Sequence, residues 1–349
     1  MDSIVAAACE LLDQGRAFIM ATIIRQQGSA PRASGARMLI LAEQQIVGTI
    51  GGGLLEANAI KAAARMSAQK PARILTFDLT GQDAAKMKMI CGGRVQVLLD
   101  YIAANDENLT LFDNWRKALS QRQKAMLVSV VSGDKAQVER IDHGLLLGRS
   151  QTLGPLEWPA GLQEKLSHTT AGAPHIQVLN HEGCLVVTDP GWIAPALYIF
   201  GAGHVARPTS RLASMVGFDV IVVDDRAEFA DRARFPEAAK VRVIPNFDGA
   251  IEHLTIERDA YIIIVTRGHL YDKVVLAQAL KTSAAYIGMI GSRHKRDLIY
   301  KDLLKEGFTD ADIARVHCPI GLSIGADTPE EIAVSIAAEL IAVRSGVDP

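Results

Sequence analysis

Cysteine is scarce in this sequence, and long uncharged apolar runs are missing. The four cysteines, Cys9, Cys91, Cys184 and Cys318, lie far apart and form no C-x-x-C pair, which argues against a zinc knuckle or a small disulfide framework. No uncharged apolar stretch is long enough to span a bilayer, and the N-terminus lacks the basic and apolar regions of a secretory signal. We therefore expect a cytoplasmic protein with reduced thiols and no membrane partner.

An excess of charge of one sign is also missing. The 37 basic and 39 acidic residues leave a formal net charge of −2, and no basic block provides the electrostatic footprint of a nucleic-acid-binding protein. There is no internal repeat, and no G-K-[ST] sequence marks an ATPase phosphate loop. With 349 residues, of which 49% are hydrophobic, the chain can form two globular domains with a sizeable core in each.

A glycine turn between a short apolar run and a helix-length segment is the most informative feature of the chain. Residues 196–200 have the composition of a buried parallel strand. They lead into G-A-G-H-V-A, in which Gly201 permits a tight turn, Gly203 removes a Cβ that would block a phosphate, and Ala206 lets the helix touch the strand. This is a dinucleotide-binding pattern, and it includes the polar side chain of His204.

A second apolar run ends in an acidic residue. Residues 219–224 are predicted to form the next strand, and Asp224 lies where the dinucleotide pattern places a carboxylate for a ribose diol. Arg226 follows two residues later, so both a plain ribose and a ribose with a 2′-phosphate stay open. The alternative is that the glycines only make a structural turn. The order strand, turn, helix, strand, acid predicts a Rossmann-like, doubly wound parallel sheet.

Two further loops are predicted to lie beside this turn. In open α/β sheets, ligands bind beyond the carboxyl ends of the strands. A predicted strand at 260–266 ends in a polar loop, and residues 286–295 are predicted to form another strand-end loop. The candidate ligand contacts in these loops are Thr266, His269, Asp272, Gly291, Ser292 and Arg293. His317 beside Cys318 suggests a metal site only weakly, because adjacent side chains rarely point at one ion.

The last helix has a complete start signal. Thr328 as N-cap, Pro329 at the first helical position and Glu331 at the third predict a capping box. The residues expected on its buried face are Ile332, Ala333, Ile336, Ala337, Leu340 and Ile341.

The first half of the chain contains a second glycine-rich loop. Gly51, Gly52 and Gly53 lie between a predicted strand and a predicted helix, where backbone N–H groups and the helix dipole would form an anion cradle. A sharp turn without a ligand explains the glycines equally well. An earlier loop at 27–37 is rich in small residues and carries Arg32, and such a loop lets the backbone approach a ligand.

Cys91 is the candidate functional thiol. Gly92 and Gly93 follow it and basic residues flank it, and both features favour a thiolate, which is a nucleophile and a soft metal ligand. The alternative is an inert, small hydrophobic side chain.

A turn at 189–192 is the predicted domain boundary. Residues 1–190 are expected to form an α+β domain and residues 194–349 the Rossmann-like domain. A polar connection is predicted at 167–175.

These segments together resemble the xanthine dehydrogenase accessory factors, the molybdenum cofactor insertion proteins also known from carbon monoxide dehydrogenase gene clusters. The resemblance covers nearly the whole chain apart from 105–183. It is carried by residues 28–32 with 35–36, 51–56, 91–93, 201–206, 224–226, 266–269 with Asp272, 288–293, and 319–322 running into 328–333.

The resemblance implies a protein that binds molybdenum cofactor, as molybdopterin or its dinucleotide form, and shields it from oxidation. It further implies presentation to a cysteine desulfurase, which exchanges an oxo for a sulfido ligand, and delivery to a molybdenum hydroxylase such as xanthine dehydrogenase. Residues 51–53 or 201–206 would hold the pterin phosphate and Cys91 the molybdenum. Glu56 joins Cys91 as a candidate for the chemistry.

Two other functions stay open at this point. One is an oxidoreductase that uses NAD(P), with His269 or Lys295 as proton donor; the other is a nucleotide-binding regulator without catalysis. We expect a cofactor-binding chaperone that is not itself an enzyme and that forms a homo-oligomer.

Overall fold

The computed structural model describes residues 3–28, 34–78, 93–134, 137–169 and 176–348. The chain divides into two compact units, residues 1–193 and 194–349. No helix in the described ranges is both long and apolar enough to cross a membrane.

The N-terminal unit begins with helix α1 (Ser3–Asp13) and a five-stranded antiparallel sheet. Its strands are β1 (Phe18–Gly28), β2 (Arg37–Ile40), β3 (Ile46–Gly48), β4 (Ala72–Asp78) and β5 (Gly93–Ile102). Their order across the sheet is β3-β2-β1-β5-β4. Helix α2 (Gly53–Ala63) follows the glycine loop after β3.

A second five-stranded antiparallel sheet follows helix α3 (Asp106–Ser120). Its strands are β6 (Ala125–Asp134), β7 (Gln137–Leu147), β8 (Gln151–Leu153), β9 (Gln177–His181) and β10 (Cys184–Asp189), in the order β8-β7-β6-β10-β9. Helix α4 (Leu162–Thr169) occupies the start of the predicted polar connection. That prediction was therefore wrong for residues 167–169, while 170–175 lie outside the described residues.

The two sheets of this unit share one hydrophobic cluster, in which Leu98 of the first sheet packs with Val131 and Val187 of the second. A buried ion pair joins the same two sheets, because Nε2 of His143 lies 3.4 Å from Oδ1 of Asp100. Burial opposes the charge on the imidazole, but attraction to Asp100 outweighs it and raises the pKa of His143.

The C-terminal unit is built on a six-stranded parallel sheet. Its strands are β11 (Ala196–Phe200), β12 (Asp219–Asp224), β13 (Lys240–Val243), β14 (Tyr261–Ile264), β15 (Tyr286–Met289) and β16 (Val316–His317), in the order β13-β12-β11-β14-β15-β16. This order reverses between β11 and β14, as in a dinucleotide-binding sheet. The predicted fold class, a Rossmann-like parallel sheet preceded by an α+β region, is confirmed.

Helices flank this sheet. They are α5 (Ala206–Met215), α6 (His269–Ala279), α7 (Arg293–Lys305), α8 (Asp310–Ile313) and α9 (Pro329–Arg344). The capping box of α9 is confirmed, since Thr328 accepts a hydrogen bond from the N–H of Glu331 and the Glu331 side chain returns one. The prediction that Ile341 is buried was wrong: its side chain is 37% exposed.

Candidate functional site

The crevice of the C-terminal unit lies at the reversal between β11 and β14. The chain leaves β11 through the turn at Gly201, β12 through Asp224, β14 through Thr266 and β15 through Ile290. Because all four strands are parallel, these loops meet at one edge of the sheet. The structure thus places the predicted contacts of this domain along one edge.

The two glycines of the turn have different surroundings. Gly201 has a φ of +106°, and a Cβ there would overlap the carbonyl of Val265, with the carbonyl carbon 2.7 Å away. A Cβ on Gly203 would have no atom of the described chain within 4 Å. Gly201 is therefore required by the fold itself, whereas Gly203 borders open space that can accept a ligand phosphate.

Asp224 is buried at the end of β12, with its side chain 1% exposed. Its Oδ2 accepts hydrogen bonds from the N–H of Ala202 at 2.7 Å and from Nη2 of Arg226 at 3.0 Å. Its Oδ1 accepts from the backbone N–H and Nε of Arg226 at 3.0 and 2.9 Å. Burial disfavours the charge, but these donors outweigh it and lower the pKa of Asp224. The carboxylate therefore fixes both the glycine turn and Arg226.

The neighbouring carboxylate, Asp225, binds Arg267 of the loop after β14. Oδ1 and Oδ2 of Asp225 accept hydrogen bonds from Nη1 and Nη2 of Arg267 at 2.8 and 2.7 Å. The guanidinium of Arg267 also lies 4.7 Å from the ring centre of Tyr271. This bidentate pair links the loops on either side of β11.

A second charged pair lies at the ends of β14 and β15. The buried carboxylate of Asp272 binds Nζ of Lys295 and accepts hydrogen bonds from the hydroxyl and the N–H of Thr266 at 2.6 and 3.1 Å. Burial raises the pKa of Asp272, although Lys295 and Thr266 act in the opposite direction. Lys295 also donates to the carbonyl of Ile290 at 3.2 Å, so its ammonium group is held in place.

The remaining predicted residues of this domain line the same edge. Ser292 caps α7 by accepting a hydrogen bond from the N–H of Lys295 at 3.2 Å, and Gly291 lies against the Lys295 side chain. Ala206 is buried at the start of α5. The side chains of His204, His269 and Arg293 are exposed.

Glu56 holds the glycine loop of the N-terminal unit. Its Oε1 accepts hydrogen bonds from the hydroxyl of Thr49 at 2.5 Å and from the N–H groups of Ile50 and Gly52 at 3.0 and 2.9 Å. Burial disfavours the charge on Glu56, but these donors outweigh it and lower its pKa. The carboxylate of Glu56 therefore already occupies backbone N–H groups of this loop that an external anion would use.

Gly51, Gly52 and Gly53 of this loop all have positive φ angles, of 125°, 74° and 59°. Three consecutive left-handed residues explain why the sequence is glycine here. A Cβ on Gly52 or Gly53 would have no described atom within 4 Å, so one side of the loop is open.

Cys91, Gly92 and Arg32 lie outside the described residues, and their assigned roles stay predictions. Gly93 is buried as the first residue of β5 and pairs with Gly28 of β1. No group of three or more metal-ligating side chains forms a cluster within the described part of the chain.

Sequence reasoning missed two contributors to these sites, Arg267 and Thr49. Arg267 lies between the predicted contacts Thr266 and His269, but its partner Asp225 is 42 residues away. Thr49 precedes the glycine loop, and its bond to Glu56 depends on the turn that the glycines make. The available signals were the position of Arg267 within a predicted loop and the position of Thr49 at the end of the predicted strand that precedes the glycine loop.

Two family descriptions match the chain. The XdhC Rossmann domain matches residues 197–340, and the XdhC and CoxI family matches residues 11–78. The first match spans the crevice, and the second includes the loop held by Glu56.

Three relatives align along almost the whole chain. A Bacillus subtilis protein, named as a probable subunit of xanthine dehydrogenase, is 26% identical over 97% of this chain and 96% of its own length. The Escherichia coli molybdenum cofactor insertion chaperone PaoD is 22% identical over 98% of this chain and 88% of its own length. Escherichia coli YqeB is 26% identical over 98% of this chain, which spans only 46% of that longer relative.

The chain is also similar to a solved structure. The crystal structure of a xanthine dehydrogenase from Bacillus halodurans matches with a TM-score of 0.77 and 26% identity, covering 98% of this chain and 96% of that chain.

Proposed function

Since the chain belongs to the XdhC and CoxI family, we propose that it is a maturation factor for a molybdenum hydroxylase of the xanthine dehydrogenase type. In this role it binds molybdenum cofactor as cargo, supports its sulfuration with a cysteine desulfurase and inserts it into the apo-hydroxylase. The observation that carries the proposal is the alignment of almost the entire chain with a molybdenum cofactor insertion chaperone.

The crevice of the C-terminal unit fits a phosphate-bearing cargo. The open space at Gly203 adjoins the first turn of α5, where backbone N–H groups and the helix dipole favour an anion. The turn is pre-organised because Asp224 binds the N–H of Ala202. We therefore assign the phosphate or nucleotide part of the cargo to this turn.

Cys91 is the proposed ligand of the molybdenum. Arg94, three residues later, is exposed at the start of β5, and cationic surroundings stabilise a thiolate. Cys184 provides a contrast, because it lies in β10 with its sulfur 3.5 Å from the hydroxyl of Ser132.

The test is the molybdenum content of protein purified from a host that makes the cofactor, together with its ability to activate an apo-hydroxylase. Cys91→Ser replaces a soft ligand by a hard one, so it should lose both properties while Cys184→Ser keeps them. Absence of molybdenum from the wild-type protein, or normal values for Cys91→Ser, would refute the assignment.

The Asp272 and Lys295 pair favours a second candidate function, a dehydrogenase that uses NAD(P). An ammonium group held beside the crevice can donate a proton to a substrate carbonyl. Substrate-dependent turnover of NADH or NADPH that disappears in Lys295→Met would support this function over a chaperone.

A further inference from the structure

Asp224, the carboxylate at the end of β12, has no lone pair left for a ribose diol. A carboxylate offers about four lone-pair positions to hydrogen-bond donors. Asp224 already accepts four hydrogen bonds, one from Ala202 and three from Arg226. A diol could reach this carboxylate only by displacing a donor that the fold has placed there.

Asp225 is held by the chain as well. Each of its oxygens accepts one hydrogen bond from Arg267, which leaves about one lone pair on each, but its side chain is only 12% exposed. Both acidic residues at the end of β12 are therefore paired with guanidinium groups of the chain.

Arg226 is the polar side chain that this end of β12 presents to a ligand. Its guanidinium uses Nε and one Nη2 hydrogen for Asp224, and it lies 3.7 Å from the ring centre of Phe229. A guanidinium has five N–H groups, so three remain, and none of these meets an acceptor within the described ranges. The side chain is 24% exposed, and its orientation is fixed from two sides.

We propose that Arg226 makes this crevice specific for a nucleotide whose ribose carries a 2′-phosphate, a dinucleotide of the NADP type. The inference rests on the proposed assignment of the crevice to a nucleotide. A ribose diol mainly offers donors and needs an acceptor, whereas a phosphate brings acceptor oxygens and negative charge that match a guanidinium. Oδ1 of Asp225 lies 3.9 Å from Nε of Arg226, so its charge would repel a phosphate bound there. Arg267 neutralises Asp225 and thereby reduces this repulsion.

The pairing of Asp224 with Arg226 gives these two neighbouring residues different roles. Asp224 fixes the guanidinium of Arg226 and is a positioning residue for it, while Arg226 contacts the ligand. Sequence alone left the choice between a plain and a phosphorylated ribose open, and the hydrogen bonds of Asp224 favour the phosphorylated one.

The experiment is calorimetric titration of the full chain with adenosine 2′,5′-bisphosphate, adenosine 3′,5′-bisphosphate and ADP. The three probes share the adenosine and the number of phosphates. The 2′,5′ isomer should bind about ten-fold or more tightly than the other two, the scale of a charged hydrogen bond. Equal affinities, tighter binding of ADP, or no binding of any probe would overturn the inference.

Arg226→Gln should lower the affinity for the 2′,5′ isomer at least about ten-fold more than the affinity for ADP, so that the preference for the 2′,5′ isomer is lost. Arg258→Gln is the matched control, because Arg258 is exposed shortly before β14 begins, at the opposite edge of the sheet. If Arg226→Gln does not fold, Arg226→Lys keeps a charge for Asp224 but removes the planar fork, and it should reduce the preference. A variant that keeps the full preference would contradict the role of Arg226.

The wild-type titration decides the inference even if both variants unfold. Molybdenum retention by the wild-type and Cys91→Ser proteins is measured separately, so a failure of the nucleotide preference is distinguishable from a failure of the maturation proposal.

Discussion

Asp225 and Arg267 form two parallel hydrogen bonds, of 2.8 and 2.7 Å, that connect the loop after β12 to the loop after β14. Because β11 lies between these strands, the pair spans the end of the strand from which the glycine turn starts. The two loops that border the crevice are therefore coupled to each other.

Asp225→Asn should change nucleotide binding in the crevice while lowering the free energy of unfolding only slightly. The Arg267 side chain is 37% exposed, and exposed ion pairs contribute about 0.2–1 kcal/mol to the free energy of unfolding. We expect a loss in that range by urea denaturation, with a measurable change in nucleotide affinity because the two loops that border the crevice are no longer linked. Asp272→Asn should destabilise the protein more, because Asp272 is fully buried. A larger loss for Asp225→Asn than for Asp272→Asn would show that this reasoning is wrong.

Gly201→Ala and Gly203→Ala should separate folding from binding. The new methyl at Gly201 would overlap the Val265 carbonyl in a left-handed backbone, so we expect a loss of about 2 kcal/mol or more in the free energy of unfolding. The same change at Gly203 meets open space, and Gly203→Ala should unfold like the wild type.

Gly203→Val tests whether the open space at this position is used for ligand binding. The larger side chain would fill the space assigned to a phosphate, so nucleotide binding should disappear in calorimetry while the melting temperature stays near that of the wild type. Undiminished binding to Gly203→Val would remove the phosphate site from this turn.

Local signals explain why the C-terminal fold could be predicted. The strand at 196–200, the glycine turn and the capping box at Thr328 each depend on residues close together in sequence. The pairing of Asp225 with Arg267 depends on strand order, and the pairing of Asp100 with His143 depends on how two sheets pack. Such contacts between distant residues leave no pattern in a single sequence.

Cys9 and Cys318 should react slowly with alkylating reagents. Burial raises the pKa of each thiol to about 11, and only the thiolate reacts. At pH 7 both should stay largely unmodified by iodoacetamide, and modification should increase as the pH approaches 11. Peptide mass spectrometry measures each cysteine separately and also tests the prediction that Cys91 reacts first. Faster labelling of Cys318 than of Cys91 would reverse the assignment of the functional thiol.

The ion pair between Asp100 and His143 predicts a dependence of stability on pH. Because the folded protein raises the pKa of His143, the protonated pair stabilises the fold fully below about pH 6.5, the ordinary value for histidine. This contribution is lost as the pH rises through the raised pKa of the folded state. We therefore expect this contribution to the free energy of unfolding, measured by denaturant titration from pH 5 to 9, to fall as the pH rises above about 6.5.

His143→Gln provides the comparison for that measurement. Breaking a buried ion pair costs about 3–5 kcal/mol, so the variant should be less stable at pH 6. Its stability should also lack the decrease with pH that the wild type shows. An identical pH profile in both proteins would exclude His143 as the origin of the effect.

The candidate sites were predicted less completely than the fold. Thr266, Asp272 and Ser292 lie at the predicted sheet edge, because parallel strands place their following loops together. The contacts of Asp224 were not foreseen, since they require Arg226 to fold back on a residue only two positions earlier. Side-chain geometry of this kind follows from the turn after β12 and not from the residue types.

The carboxylate of Glu56 would compete with any external anion for the glycine loop of the N-terminal unit. A tethered group competes at an effective concentration in the millimolar range or above, and Glu56 occupies the N–H groups of Ile50 and Gly52. A phosphate can use these two groups only if it displaces Glu56. Binding at this loop should then tighten as the pH falls far enough to protonate Glu56, whose lowered pKa keeps the competitor charged under neutral conditions.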